Sequence, residues 1–545
     1  MRIPISFFSF LVFCAGWCRG AGDVSRYLPT PGLRPLSTEA ATAPDRPADL
    51  ILAAPEPFPV PADGPELVRT FVVPVEKLAQ AVHVETLRLT PSDEAGSPVT
   101  HAMIRLDASL ESRKADAADP GPGFANHPHY SGVRRPTSLV AAWTPWAPVV
   151  TSAPGVWRLL PDSDLVVTCT IKPTGKKTSV RPQISLWLAA RPPATHVVTL
   201  RMANEAIVIQ PGIEDTSARD TFILPVASKL LAVYPDGNHW TKTIRLDLTG
   251  PRTEAGEPEA ERLFDIADWA SGLQEWYRFE KPVDIPPGGK LDLQIRYANA
   301  EGNRPVRWGP RADDERGELY LILATETEPE LYDLLKMASV HQLALAIEGA
   351  EAKDADDLPG HVQLARLYCD LGQPATAVAH GLKAVSLNPE SAEAHAALGS
   401  AYVSQNRDFA AQEHLEKAVQ LNPDQADAHY NLGNVFLRYG VIEKAFTAYE
   451  NAARLDPRDI RYANNLGHLL MQKDENDKAE VIFTRVIARN PFHAPSTANL
   501  ARLKELKGDK AAALQLYRRA VTLAPAMSPT LLPLIARAEK ELEKK

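Results

Sequence analysis

The chain has 545 residues, a formal net charge of −9 and an ordinary hydrophobic share of 45%. This length is too great for one hydrophobic core and indicates two to four domains. The acidic balance argues against a nucleic-acid-binding protein, which would normally present a basic surface. The 47 prolines, most of them in the first two thirds, favour β structure with long loops over helices in that part.

Residues 1–22 have the features of a secretory signal peptide. Arg2 supplies the positive charge, residues 3–17 form an apolar run, and small residues follow near Gly20. The run is short for a membrane span. We therefore expect an exported protein, periplasmic or secreted, with no membrane span after cleavage. A lipid anchor or an uncleaved anchor is the less favoured alternative.

Residues 23–65 are rich in proline and alanine and are interpreted as a flexible or extended leader. The pattern then changes to short alternating runs such as "SDLVVTCTI", "PQISLWLA" and "KTIRLDL", which are separated by Pro/Gly turns. Such alternation predicts strands with one buried face. The region is therefore predicted to be all-β, of sandwich or jelly-roll type.

The C-terminal part of the chain carries a strict period. Proline and alanine each recur at one fixed spacing, as Pro389, Pro423, Pro457, Pro491 and Pro525, and as Ala377, Ala411, Ala445, Ala479 and Ala513. That spacing is the roughly 34 residues of the tetratricopeptide repeat (TPR), a pair of antiparallel helices. We predict an all-α solenoid over 330–545. It would hold a degenerate leading helix at 330–350, five repeats over 358–527 and a C-terminal capping helix.

Solenoids of this kind usually bind an extended peptide or a partner helix in a concave groove. Asn431, Asn465 and Asn499 follow one another at the repeat spacing and would form a ladder of amides able to bond a peptide backbone. The alternative is that these asparagines serve the fold. No lysine cluster predicts a clamp for a terminal carboxylate. The candidate partner-binding residues are His395, Tyr430, Asn431, Asn434, Asn464, Asn465, His468 and Asn499, and Ser400 and Arg502 share their face.

Several β segments carry a family resemblance. They include "AAWTPWAP", "GVWRLLPDSDLVVTCTIKPTG", "LLAVYPDGNHWTKTIRL" and "KLDLQIRYAN". These segments resemble the copper type II, ascorbate-dependent monooxygenases, the family of peptidylglycine α-hydroxylating monooxygenase. The resemblance implies two jelly-roll domains in tandem, at 66–197 and 198–326, with one copper site in each. The fold class expected for the chain is therefore multidomain, tandem all-β jelly rolls followed by a TPR solenoid.

The resemblance places the copper ligands on residues that have mostly changed type. The first site falls on Thr100, His101 and Thr170, and the second on Asp236, Asn238 and Arg316. Copper that cycles between two oxidation states needs imidazole and thioether donors, and of these six residues His101 alone supplies one. Arg316 would repel a copper ion. We expect it instead to pair with Asp236 in the space that the metal occupies in the family.

The sequence thus predicts an exported, non-enzymatic interaction scaffold that needs no cofactor and binds a protein or peptide through its TPR groove. The alternative is a divergent copper-dependent monooxygenase. It would retain its metal through His101 and ligands that the resemblance does not align, such as His127, His129 or His239.

Overall fold

The structure is a computed structural model. It describes residues 33–35, 43–75, 78, 81–91, 97–107, 111–119, 121–125, 139–143, 149–151, 157–161, 163–191, 195–251, 259–270, 273–308, 314–315, 317–351 and 357–542. The predicted signal peptide lies outside these ranges. The described part has a β-rich N-terminal region followed by an all-helical C-terminal region. Among the described residues, no helix combines the length and apolar character needed to cross a membrane.

The first half of the β region consists of short antiparallel strands and one helix. They are β1 (Leu33–Pro35), β2 (Leu50–Ala53), β3 (Phe58–Val60), β4 (Leu67–Pro74), β5 (Val82–Thr90), β6 (Val99–Asp107), α1 (Glu111–Ala118), β7 (Phe124–Ala125), β8 (Leu139–Trp143), β9 (Val149–Thr151), β10 (Trp157–Leu159), β11 (Asp164–Ile171), β12 (Thr178–Val180) and β13 (Gln183–Leu188). One sheet has the order β10-β5-β13-β2 and another the order β7-β4-β11-β6-β8. Apolar residues from both sheets, such as Leu87 and Val167, share one buried core.

The second half repeats this arrangement. Its strands are β14 (His196–Ala203), β15 (Val208–Ile209), β16 (Ile213–Ile223), β17 (Ser228–Asp236), β18 (Thr241–Thr249), β19 (Glu261–Ile266), β20 (Tyr277–Ile285), β21 (Lys290–Asn299), β22 (Val306–Arg307) and β23 (Glu318–Thr325). The sheets β1-β20-β17-β23-β14 and β16-β21-β18-β19 enclose a second core, to which Leu246 and Leu321 belong.

The segment interpreted as a leader contributes three of these strands. β1 pairs with β20 in the second half, whereas β2 and β3 pair with β13 and β12 in the first half. The interpretation of residues 23–65 as a flexible or extended leader is therefore wrong for 33–35, 50–53 and 58–60. Strands of three or four residues that contain proline give too short an alternation to be read from sequence.

The helical region follows the predicted repeat period. Its elements are α2 (Glu328–Glu351), α3 (Leu358–Asp370), α4 (Pro374–Leu387), α5 (Ala392–Ser404), α6 (Asp408–Leu421), α7 (Ala426–Arg438), α8 (Ile442–Leu455), α9 (Ile460–Gln472), α10 (Asn476–Arg489), α11 (Ala494–Leu506), α12 (Lys510–Leu523) and α13 (Ser528–Leu542). Five antiparallel pairs run from α3/α4 to α11/α12. α13 lies where the sequence places the capping helix.

Small residues allow the paired helices to approach closely. The alanines that recur once in each repeat, from Ala377 to Ala513, are completely buried. A Cβ atom added to Gly433 on α7 would lie 2.5 Å from Cε1 of Tyr449 on α8, so a larger residue would push the helices apart. The spacing of small residues therefore fixes how each pair packs.

Helix α2 joins the two regions. Leu334 and Ala338, in its first half, belong to the core of the second β half. Ile347 and Ala350, near its end, pack against Leu364 and other residues of α3. The leading helix expected at 330–350 is thus confirmed as a helix, and its two ends bury apolar side chains in different cores.

A buried carboxylate also links the regions. Asp164, at the start of β11, is completely buried and accepts from the Nε of Arg113 on α1 at 2.8 Å. It also accepts at 2.7 Å from Arg458, in the turn between α8 and α9. In the equivalent turn one repeat later, the ring of Phe492 lies 5.7 Å from that of Tyr332 on α2. One turn of the helical region therefore contacts the β region directly, and the next equivalent turn contacts the joining helix α2.

Candidate functional site

The three first-site positions of the copper resemblance lie together in the first β half. His101 on β6 stands directly opposite Thr170 on β11 in the strand pairing. The hydroxyl of Thr100 donates to the backbone oxygen of Thr170 at 3.3 Å. The imidazole of His101 is buried, and its Nε2 lies 2.5 Å from the hydroxyl of Tyr234 on β17. His101 therefore bonds a side chain of the second β half.

Further buried polar residues surround this contact between the β halves. Arg105 on β6 donates to the hydroxyl of Tyr320 at 3.1 Å, and that hydroxyl donates to Glu318 at 2.5 Å. Arg201 donates to the other oxygen of Glu318 at 2.8 Å. Burial alone would raise the pKa of Glu318, but the Arg201 guanidinium outweighs it and holds that pKa below its usual value. Charges and hydrogen bonds thus tie the two halves together.

The second-site positions are engaged in turn and sheet contacts. Asp236 accepts from Nε2 of Gln274 at 2.5 Å. Nδ2 of Asn238 donates to the backbone oxygen of Asp314 at 2.7 Å, and its backbone N–H donates to Glu315 at 2.8 Å. Arg316 lies outside the described residues, so its expected pairing with Asp236 stays a prediction.

The residues described at these positions do not fit a copper centre. Threonine, aspartate and asparagine are not donors that favour copper, and His101 is committed to Tyr234. His239 is exposed in a turn. Within the described ranges, no group of three histidine, cysteine, aspartate or glutamate side chains is arranged to hold a metal ion. His127 and His129 lie outside those ranges.

The predicted ladder of asparagines is a continuous chain of hydrogen bonds in the structure. We call it the amide relay. Each side-chain N–H donates to the next oxygen along the first helices of four successive repeats. The bonds run from Asn499 to Asn464 (3.4 Å), Asn464 to Asn465 (3.2 Å), Asn465 to Asn434 (3.3 Å), Asn434 to Asn431 (3.3 Å) and Asn431 to Ser400 (2.8 Å).

Neighbouring hydroxyls hold the amide relay in place. Tyr449 on α8 donates to Oδ1 of Asn434 at 2.7 Å, and Ser496 donates to Oδ1 of Asn464 at 2.8 Å. Tyr430 lies beside the relay, its ring centroid 4.9 Å from that of Tyr462. All five asparagines are half-buried. The relay is therefore a pre-organised polar surface that solvent still reaches.

His395 is not part of this surface, contrary to its prediction as a partner-binding residue. Its ring is buried between α5 and α6, with Nε2 2.9 Å from the backbone oxygen of Pro389 and Nδ1 2.9 Å from Nδ1 of His414. The fourth position of the first helix points towards the second helix. One repeat earlier, His361 and His380 form the same pair at 3.0 Å. The sequence did contain a signal for these pairs. His361 and His380 recur one repeat later as His395 and His414.

These two histidine pairs predict that the helical region becomes less stable as the pH falls. Burial lowers the pKa of His380 and of His414, and the partner histidine lowers each further, while Glu351 and Glu413 act the other way. The unfolded chain, with histidine pKa near ~6.5, binds more protons below that pH and is favoured there.

We expect the free energy of unfolding of the helical region to decrease from pH 7 to pH 5, as measured by urea titrations followed by circular dichroism. The His380→Asn, His414→Asn double variant should show a flatter pH dependence. The exposed control His239→Asn should keep the wild-type slope. Greater stability at pH 5 than at pH 7 would contradict this expectation.

Comparison with known proteins agrees with this geometry. Residues 399–440 match a TPR repeat model and residues 464–528 match a tetratricopeptide repeat model. The C-terminal region is built of TPR repeats. No curated protein sequence matches the chain.

Among solved structures, the chain is similar to YrrB, described as a TPR protein with an unusual peptide-binding site. The identity is 23%, over 37% of this chain and 99% of that one, with a TM-score of 0.27. It is also similar to TTC0263, a thermophilic TPR protein in Thermus thermophilus, at 22% identity over 33% of this chain and 98% of that one, with a TM-score of 0.28. It is similar to MamA as well, at 28% identity over 30% of this chain and 95% of that one, with a TM-score of 0.23.

Proposed function

We propose that this protein is an interaction scaffold whose TPR solenoid binds an extended segment of another protein along the amide relay. The observation that carries the proposal is the relay itself. A peptide backbone offers one N–H donor and one C=O acceptor at each residue, and side-chain amides complement both. Because neighbours already fix the five asparagines, binding costs little side-chain ordering.

The β region is, in this proposal, a non-catalytic platform with the tandem jelly-roll frame of the copper monooxygenases. The bonding of His101 to Tyr234 supports this, since it joins the first half to the second at a position where the family would hold metal. The proposal includes export of the protein, based on the sequence features of residues 1–22.

Selection from a random dodecapeptide library displayed on phage, with the full chain as bait, tests the binding function. Enriched peptides should bind the wild-type protein in calorimetry. The Asn434→Ala, Asn465→Ala double variant should weaken them by about tenfold or more, because each lost hydrogen bond contributes about 0.5–1.5 kcal/mol. Val481→Ala, an exposed change on α10, is the matched control and should bind as the wild type does. Equal binding by the double variant would refute the proposal.

The non-catalytic role of the β region predicts an absence of tightly bound copper. After incubation of the full chain with a copper salt and desalting, metal analysis should give much less than one copper per chain. The amount should be the same for His101→Ala. Near-stoichiometric copper that is lost in His101→Ala would overturn this part of the proposal in favour of a divergent monooxygenase.

A further inference from the structure

The amide relay ends beside two side chains that have no bonded partner among the described residues. His468 and Arg502 follow Asn465 and Asn499 by three residues, so each lies on the same helix face as its asparagine. They occupy the position that Ser400 and Asn434 occupy in the preceding repeats. His468 is half-buried and Arg502 is exposed. This end of the relay therefore offers a guanidinium and an imidazole to a ligand.

Two other arginines on first helices of the solenoid pair with carboxylates of the chain itself. Arg461 pairs with Asp459 at 2.6 Å, and Arg438 pairs with Asp408. The acidic residue nearest to Arg502 along its helix, Glu505, is engaged elsewhere. It accepts from Arg537 at 2.6 Å and from the hydroxyl of Tyr517 at 2.9 Å. The positive charge of Arg502 is thus not neutralised within the described structure.

The relay adds hydrogen-bond donors to this positive charge. Oδ1 of Asn434 and Oδ1 of Asn464 each accept two bonds within the protein and are saturated. Asn434, Asn464 and Asn499 each use one of their two side-chain N–H groups in the relay. At this end Asn464 and Asn499 therefore each keep one N–H group that can donate to a carbonyl or carboxylate oxygen, whereas Asn465 already donates to Asn434 and Tyr430.

We propose that this end of the groove, formed by Asn465, His468, Asn499 and Arg502, binds an acidic side chain of the extended segment. Arg502 donates to the carboxylate, and the remaining N–H groups of Asn464 and Asn499 donate to the carbonyls beside it. The partner is therefore an extended segment that carries aspartate or glutamate. This inference rests on the proposed function and specifies its ligand.

The protonation of His468 makes binding at this site depend on pH. Burial lowers the pKa of His468, and the charge of Arg502 on α11 lowers it further; no carboxylate contributes. A bound carboxylate would neutralise that charge and favour the protonated imidazole. Binding of an acidic segment should therefore take up protons and become tighter as the pH falls from 7.5 to 6. A neutral segment should show no such dependence.

The test uses one peptide selected on the full chain, synthesised with an amidated C-terminus and with glutamate, glutamine or lysine at each position in turn. The parent peptide is also made with a free C-terminal carboxylate. At one position the glutamate form should bind about tenfold more tightly than the glutamine form, and lysine should weaken binding. Arg502→Gln should remove that preference, whereas the exposed control Arg518→Gln should keep it. His468→Gln should remove the pH dependence.

The outcomes separate this inference from the proposed function. If the three forms bind equally at every position while the Asn434→Ala, Asn465→Ala double variant still weakens binding, the acidic site is refuted and the peptide-binding function stands. If no peptide binds, the proposed function itself fails. If only a free C-terminal carboxylate gives the Arg502-dependent gain, the assignment to a side chain is refuted.

Discussion

Replacing Asp164 by alanine is expected to lower the free energy of unfolding by about 3–5 kcal/mol, because two arginines then lose a buried carboxylate partner. Asp164 is completely buried, and Arg458 beside it is 7% exposed. Arg458 belongs to the helical region and Asp164 to the β region, so the change also removes a contact that holds the two together. Guanidinium denaturation followed by tryptophan fluorescence measures the loss.

The matched control for Asp164 is Glu539→Ala. Glu539 also pairs with an arginine, Arg518, but both side chains are more than a third exposed. Such a pair contributes about 0–1 kcal/mol. In wild-type protein we expect the β and helical regions to resist trypsin together, and in Asp164→Ala the helical region to be released sooner. Equal stability losses for the two variants would contradict the role assigned to Asp164.

Phe483→Ala is the second change with a large expected effect, about 3–5 kcal/mol of lost stability. Phe483 on α10 is completely buried, and a Cβ added to Gly467 on α9 would lie 2.8 Å from its ring, so the ring fills the space that the glycine leaves. Alanine would leave a cavity between the helices. The loss should be seen in thermal unfolding followed by circular dichroism at 222 nm.

Position 481 provides the control for Phe483. Val481 lies on the same helix and is 69% exposed. Val481→Ala should change the stability by less than about 0.5 kcal/mol, as surface changes usually do. Because each repeat contacts its neighbours alone, Phe483→Ala should weaken the last repeats more than the first. A uniform loss of amide protection from α3 to α13 would contradict this expectation.

The sequence was most informative where structure repeats. The repeat period predicts the helix pairs closely because every unit must bury the same small residues, such as Ala445 and Gly433, against its neighbour. The same period predicts three members of the amide relay, Asn431, Asn465 and Asn499, but not the bonds through Asn434 and Asn464 that join them. The prediction that His395 lies on the partner-binding surface is wrong, because periodicity does not say which side of a helix a single histidine faces.

Contacts between distant segments left no sequence signal. His101 bonds Tyr234, which lies 133 residues away, and Arg458 bonds Asp164, which lies 294 residues away. Each residue alone is compatible with a surface position or a ligand role. The tertiary fold decides between these roles, because it brings together residues from distant strands and helices. Neither alternation nor repeat spacing predicts such contacts. The short strands β1, β2 and β3 were missed for a related reason, since their pairing partners lie far along the chain.

Hydrogen exchange of the full chain with and without a library-selected peptide tests the central claim most directly. The peptide should slow exchange in the first helices of the repeats, α7, α9 and α11, which carry the amide relay. It should have little effect on α10 or on the β strands. The Asn434→Ala, Asn465→Ala double variant should show no such protection. Protection confined to the β region, or unchanged in the double variant, would contradict the account of this protein as a scaffold that binds through its TPR groove.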